Sequence, residues 1–387
     1  LLATDGHPAR PESTRKSLGI REPTVASVVT PQVSFWAGRP VLVTGHTGFK
    51  GAWLSLWLTE MGAEVHGLSL DPTEGQTIFH ASDVVNSLAS DTRADLRDQS
   101  AVEVALDSAA PEIVFHLAAQ PLVSVGYQSP SATWMTNVQG SVHLLESVRR
   151  QPSACAVVVV TTDKVYEDLE QGAAHSESDR LGGHDPYSSS KAAVELLVES
   201  YRKSFGNSVG DADVRLATAR AGNVIGGGDW GIDRLVPDCL RAFEDHRPVL
   251  LRSPRSVRPW QHVLDPLCGY LLLAERLTGD AGHDVATSWN FGPDGSGEAT
   301  AEEVARMVAA AWGHHAEISA DPCSHQIHET KTLRLDSTKA KNLLGWSPRW
   351  GLEEAVSRTV DWHMGLSDGT DLQDLCVSQI ADYLGAS

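Results

Sequence analysis

The stretch VLVTGHTGFKG at residues 41–51 sets a short apolar strand, Val41 to Val43, directly before glycines spaced three apart at Gly45, Gly48 and Gly51. The run that follows, from Phe49 to Met61, has helical texture. Strand, glycine loop and helix in that order form the context in which such a loop cradles a dinucleotide. Gly45 permits the tight turn, Gly48 lets backbone N–H groups approach a pyrophosphate, and Gly51 lets the helix close on the strand. The helix macrodipole adds the positive end that an anion needs. Thr47, Phe49 and Lys50 share the loop and join the glycines as candidate cofactor contacts.

Working outward, further short apolar runs occur at Val65 to Leu70, Ile113 to Leu117, Ala156 to Val160 and Val214 to Ala219, with helical spacers such as Ser131 to Arg149 and Ser188 to Phe205. Strands alternating with helices predict an α/β fold, a Rossmann-type doubly wound parallel sheet. Past Gly226 the alternation loosens among prolines, which predicts a smaller α+β substrate-binding lobe. The expected division is a flexible leader over 1–35, a dinucleotide-binding domain over 36–224, a substrate-binding lobe over 225–366 with interleaved segments, and an exposed, acidic, helix-forming tail over 367–387. An acid about 20 residues after the glycine loop often holds the adenosine ribose. Asp71 stands at that distance and Ser69 at the strand's end, so both are candidates. Asp71 favours NAD only if it turns inward, and NADP stays open. Asp95-Leu96-Arg97-Asp98 follows the third strand, with Asp98 as a helix cap. Leu117, Ala118 and Ala119 close the fourth strand with residues small enough for a flat cofactor to approach.

Across 387 residues, 41% are hydrophobic, and 31 basic residues against 50 acidic ones give a net charge of −19. That field disfavours nucleic acid or an anionic membrane surface as a partner. It also repels anionic metabolites, so any phosphate ligand must be held by a few local donors. Five widely spread cysteines, with no CxxC pair and no zinc spacing, read as reduced thiols of a cytoplasmic protein, and no metal site is expected. No apolar run reaches the ~18 residues of a membrane span.

Tyr187 and Lys191 stand at i and i+4, on one helical face and within mutual reach. A phenol of pKa ~10 beside an ammonium and a positively charged nicotinamide is drawn toward phenolate, a usable base for a substrate hydroxyl. The preceding strand ends in Thr161-Thr162-Asp163-Lys164, delivering polar groups to the carboxyl edge of the sheet, where ligands of open α/β folds bind. Thr162 can share a proton with the reacting hydroxyl, Asp163 can act as an acid, and Lys164 as a base if desolvation lowers its pKa.

From Pro40 to about His363 the chain resembles the nucleotide-sugar 4,6-dehydratases of the extended short-chain dehydrogenases/reductases. The ordered motifs are GHTGFKG at 45–51, HLAAQPLV at 116–123, TTDKVY at 161–166, YSSSK at 187–191, RAGNVIGGGDW at 220–230, DRLVPD at 233–238 and RPWQHVLDP at 258–266. The Asp163-Lys164 pair is similar to the branch that acts on CDP-glucose. The resemblance implies C4 oxidation, loss of water across C5 and C6, and hydride return to C6. Tyr187 and Lys191 would then serve both chemistry and NAD binding, Asp95 and Leu96 would contact the adenine, and the ribose-binding end of the second strand would fall near Ser69. It also implies a homodimer through the helices that hold Asn137 and Tyr187. For a nucleotide sugar it points to Gln120, Asn223, Arg234, Arg252 and Arg258, with Arg255 as a further cation; Arg252 and Arg255 read equally well as solvated loop charges. His116, His262, Trp230 and Trp260 are expected in packing roles. A 4-epimerase, or a dehydratase for another nucleotide hexose, is the alternative on the same scaffold. A silent dinucleotide sensor is disfavoured by the intact set Thr162, Asp163, Lys164, Tyr187 and Lys191.

Overall fold

The computed structural model describes residues 29–72, 77–153, 155–167, 172–206, 213–313, 316–320 and 332–385. Its strands are β1 (Pro40–Thr44), β2 (Glu64–Ser69), β3 (Ser90–Arg93), β4 (Ile113–His116), β5 (Cys155–Val160), β6 (Val214–Ala221), β7 (Asn223–Ile225), β8 (Val249–Leu251), β9 (Val257–His262), β10 (Ser288–Phe291), β11 (Glu298–Thr300) and β12 (Ile318–Ala320). Seven of them make one parallel sheet in the order β10-β6-β5-β4-β1-β2-β3. The order reverses between β1 and β4, where an open α/β sheet leaves a crevice at its carboxyl edge.

The continuous apolar run of β5 follows from burial on both faces. Ala156, Val158 and Val160 enter one core, while Cys155, Val157 and Val159 enter the other. The first core also takes the helix Phe49–Glu60, whose Trp53 and Trp57 are fully buried. On the opposite face lies Pro186–Phe205, started by Asp185 and Ser188 in a reciprocal capping box with Pro186 in the first turn.

The second lobe pairs a three-stranded sheet, β11-β9-β7, with a two-stranded one, β12-β8, and packs Leu235–Glu244, Ala301–Trp312 and Leu352–Asp368 against them. This is the expected α+β lobe. Strand β10 returns to the main sheet from within it, so the segments interleave.

Three expectations change. The helix expected over 131–149 is split into Pro130–Trp134 and Gly140–Arg149 by a wide π-type turn at Met135–Gln139 that carries Asn137. Residues 1–28 of the expected leader lie outside the described residues. Its end is not loose, because Val33–Trp36 is helical and Trp36 is fully buried, with its indole N–H donating to Glu275 Oε1 at 2.8 Å. The tail is helical as expected, Leu372–Leu384, but it is docked rather than exposed, with Leu372, Cys376, Ile380 and Tyr383 buried in the main core. Its acidic residues occupy the outer face, and their charge hid a helical apolar stripe. Among the described residues, no helix is long and apolar enough to cross a membrane.

Candidate active site

A cleft of roughly 1160 Å³ opens over the carboxyl edge of the main sheet, between it and the second lobe. Gly45, Thr47, Gly48, Phe49, Lys50 and Gly51 form its floor. Gly45 adopts φ +77, and a Cβ there would lie 2.7 Å from the Ala118 nitrogen; one on Gly51 would lie 2.1 Å from the Gly45 carbonyl oxygen. Gly48 is different. Its φ of −80 suits any residue, and a Cβ would meet only the Gly45 oxygen, at 3.3 Å. The absent side chain therefore leaves room in the cleft itself, over a helix N-terminus that has no side-chain cap. Unpartnered N–H groups beside a cradle that a Cβ would fill fit a pyrophosphate. Thr47 Oγ1 and Ser69 Oγ, 2.8 Å apart, line the cleft at the end of β2. Asp95, Leu96, Leu117, Ala118 and Ala119 line the cleft as expected.

On the other side, β5 and the capped helix bring Thr162, Asp163, Lys164, Tyr187 and Lys191 to the same cleft. Thr162 Oγ1 donates to Asp163 Oδ1 at 3.0 Å. Burial raises the Asp163 carboxyl above its ordinary value, against the pull of Lys164, the Thr162 hydrogen bond and Arg258. The Lys191 ammonium donates to the Val160 carbonyl at 3.0 Å, and burial brings it down to about 8. Burial also pushes the Tyr187 phenol up to about 12, opposed by its hydrogen bond to Thr162 and by Arg234. Thr162 and Arg234, rather than Lys191, oppose that rise, and the Lys191 ammonium is committed to the strand's carbonyl.

The cations that a globally negative chain needs for an anion are present. Lys50, Arg234, Arg252 and Arg258 line the cleft with Asn223. Arg234 Nη1 donates to both oxygens of the buried Asp229, at 2.9 Å each. Gly231 leaves the space its guanidinium fills, since a Cβ there would lie 2.8 Å from Arg234 Cδ. Burial, then Arg234, lowers Lys50 to about 8. Arg252 Nη1 bonds to Asp233 Oδ1 at 3.0 Å.

Three candidates are not brought into the cleft. Asp71 is exposed beyond the end of β2, and Arg255 lies outside the lining. Gln120 is committed elsewhere: its amide donates to Thr133 Oγ1 at 2.9 Å and its Oε1 accepts from the Leu122 N–H at 2.6 Å. His116 and His262 are packing residues, each brought by burial to about 3. His116 bridges Thr44 and Ser141, and His262 lies between Trp53 and Trp350.

Sequence reasoning missed a buried polar cluster beneath the site. Glu195, one helical turn after Lys191, accepts from Arg220 Nε at 2.9 Å and Nη2 at 2.7 Å, and from the hydroxyls of Thr161 and Thr218. Arg220 Nη1 donates to the Tyr166 hydroxyl, which donates to Asn290 Oδ1. The i+8 spacing from Tyr187 was the available signal. Asp229 was missed too, because its pairing with Arg234 needs a turn that periodicity does not reveal.

A dinucleotide cradle facing a Tyr187–Lys191 helix across one cleft defines an extended short-chain dehydrogenase/reductase. The GDP-mannose 4,6 dehydratase family model matches residues 42–359, and the chain belongs to that family. It is 46% identical over 356 residues to a CDP-glucose 4,6-dehydratase of Salmonella typhimurium, covering 92% of this chain and 98% of that one. This chain is a hydro-lyase of nucleotide sugars. Among solved structures, the UDP-glucose 4-epimerase of Thermus thermophilus in complex with NAD superposes with a TM-score of 0.72 at 26% identity, covering 84% of this chain and 99% of that one. The dTDP-glucose 4,6-dehydratase of Bacillus anthracis, with NAD, shares the fold with a TM-score of 0.71 at 21% identity over 87% and 100% of the two chains.

Proposed function

We propose that this enzyme converts CDP-D-glucose to CDP-4-keto-6-deoxy-D-glucose and water. The observation that carries the reading is the Asp163-Lys164 pair at the mouth of β5, in the same cleft as Tyr187, in a chain 46% identical to a CDP-glucose 4,6-dehydratase.

Gly48, Thr47 and Ser69 would hold the NAD on a loop whose shape Gly45 and Gly51 set by close packing, and Lys191 would serve its nicotinamide end. Bound NAD supplies the acceptor for the C4 hydride and the donor that returns it to C6. Tyr187 takes the proton of the 4-hydroxyl as C4 is oxidised. The resulting 4-ketone acidifies C5–H, which Lys164 removes and later restores. Asp163 protonates the departing 6-hydroxyl, and its raised pKa suits an acid. Arg234, Arg252 and Arg258 hold the diphosphate with Asn223; guanidinium forks match its oxygens.

The enzyme acts as a homodimer in the cytoplasm. The helices Pro130–Trp134 and Pro186–Phe205, with the turn between 135 and 139, leave Trp134, Met135 and Leu196 exposed, an apolar surface suited to a second copy. Cys155, Cys239, Cys268 and Cys376 are free thiols, as in a reducing compartment.

Incubation with CDP-glucose tests the reading. The expected product has lost one water and develops the 4-keto chromophore in alkali. A product of unchanged mass supports an epimerase instead, and turnover only with another nucleotide glucose overturns the cytidine assignment.

A further inference from the structure

Dehydration leaves a proton to be accounted for. The substrate gives up the O4 proton and its 6-hydroxide, while the C5 proton leaves and returns and the hydride moves from C4 to C6. The water released is therefore the sum of the O4 proton and the 6-hydroxide. Tyr187 receives that proton, yet Asp163 spends one. Both side chains are buried, at 9% and 2% exposure, so exchange with bulk water is a poor way to reset them each turnover.

The Thr162 hydroxyl stands between the two. It donates to Asp163 Oδ1 at 3.0 Å, and it shares the cleft with the Tyr187 phenol, whose ionised form it stabilises. A hydroxyl has one proton to donate. While Tyr187 is ionised the hydroxyl steadies the phenolate; once Tyr187 has taken up a proton, the hydroxyl's own proton lies on the Asp163 side and its lone pair is open to the phenol, so the chain is then polarised from Tyr187 toward Asp163. Its direction is fixed further by the Lys164 backbone N–H, which also donates to Thr162 Oγ1, at 3.4 Å. The second oxygen of Asp163, Oδ2, is buried and has no hydrogen-bond partner among the described residues, which leaves it for a group entering the cleft.

We infer that Thr162 relays the O4 proton from Tyr187 to Asp163, so that the proton taken in the oxidation is the one that expels the 6-hydroxyl as water. This rests on the dehydratase reading above. The steps balance. Tyrosinate takes the O4 proton. The phenol passes a proton to Thr162 Oγ1 as Thr162 passes its own to the Asp163 carboxylate. Asp163 then protonates O6 as the C6–O bond breaks. Tyrosinate, threonine hydroxyl and aspartate are all restored, with no net proton drawn from solvent. Thr162 is a relay rather than a group that meets the sugar's C6.

The test is single-turnover kinetics of the NAD-loaded enzyme with CDP-glucose, following the near-ultraviolet absorbance of reduced nicotinamide and the mass of acid-quenched sugars. Thr162→Val keeps the shape and removes the relay. The expected result is oxidation without elimination: reduced cofactor and a 4-keto sugar still carrying its 6-hydroxyl build up at least about tenfold over wild type, as in Asp163→Asn. Thr162→Ser restores the coupling, and unchanged melting temperature and NAD content of each variant mark them as folded. If Thr162→Val slows oxidation with no reduced cofactor, as Tyr187→Phe would, or behaves as wild type, the relay is overturned and the dehydratase assignment stands. A wild-type enzyme that releases no water from any nucleotide glucose overturns both.

Discussion

A methyl group added to Gly45 would lie 2.7 Å from the Ala118 nitrogen, so the turn after β1 and the loop after β4 touch backbone to backbone at the point where the sheet order reverses. The glycine there serves the protein's own packing. Gly51 does the same by closing on the Gly45 carbonyl. Gly48, with ordinary φ and only a 3.3 Å contact behind it, serves what enters the cleft.

Alanine substitutions should therefore separate two effects. Gly45→Ala adds a strained positive φ, about 1–3 kcal/mol, to an overpacking cost of similar size, and Gly51→Ala overpacks against backbone. Both should lower the melting temperature sharply. Gly48→Ala should melt close to wild type but purify with little NAD. Thermal melts beside NAD content after denaturation check this. Full NAD occupancy in Gly48→Ala would show that the room over the helix is not the cofactor's.

Tyr187→Phe removes one oxygen and leaves the ring packing intact. Loss of a positioned general base slows turnover about 10²–10⁴-fold. The fold and NAD content should not change. Quantifying the 4-keto product in alkali measures the loss, and activity within about threefold of wild type would remove Tyr187 from the chemistry.

Glu195 and Arg220 are both almost fully buried and share two hydrogen bonds. Glu195→Gln leaves the guanidinium's charge uncompensated, at a cost of about 3–5 kcal/mol. Urea denaturation measures it. The double variant Glu195→Gln, Arg220→Met should recover part of the loss, because two neutral groups are cheaper to bury than one unpaired ion. A single variant as stable as wild type would mean that this cluster carries no net charge interaction.

The parts that sequence made legible are those in which chemistry is local. The glycine loop, the Tyr187–Lys191 pair and the polar end of β5 each lie within one strand, turn or helix, and each reaches the cleft. What failed depended on the third dimension. Asp71 sits two residues past the end of β2, where the chain has left the sheet edge. The Gln120 side chain bonds Thr133 and the Leu122 N–H, and its backbone N–H meets Asn137 on the π-type turn, a geometry that periodicity reads as plain helix. The acidic character of the tail suggested a solvated helix. Asp371 in fact caps the last helix, accepting from the Gln373 and Asp374 N–H groups, and Asp382 holds Arg358 at 2.7 Å while Tyr383 turns inward.

Tyr383 leads to the last prediction. Its hydroxyl donates to Asp265 Oδ1 at 2.8 Å, and the Arg349 backbone N–H donates to the same oxygen at 2.7 Å, so the fully buried Asp265 ties the final helix to Leu264–Thr278. Burial outweighs these donors and pushes the carboxyl up to about 7, against about 3.9 in an unfolded chain. The folded state therefore keeps a proton that the unfolded state has lost between about pH 4 and 7. Its contribution is complete below the lower value and is lost as pH rises through the upper one, at about 1.4 kcal/mol per unit. Asp265→Asn cannot titrate. Measured by urea denaturation, the variant should gain on wild type by roughly 3 kcal/mol between pH 5 and pH 8, with most of the change complete by pH 7. The comparison between the two proteins cancels the titration of every other group, which makes the slope specific to this one carboxyl. A constant difference across that range would mean that Asp265 is ionised throughout, and that its two donors outweigh the desolvation.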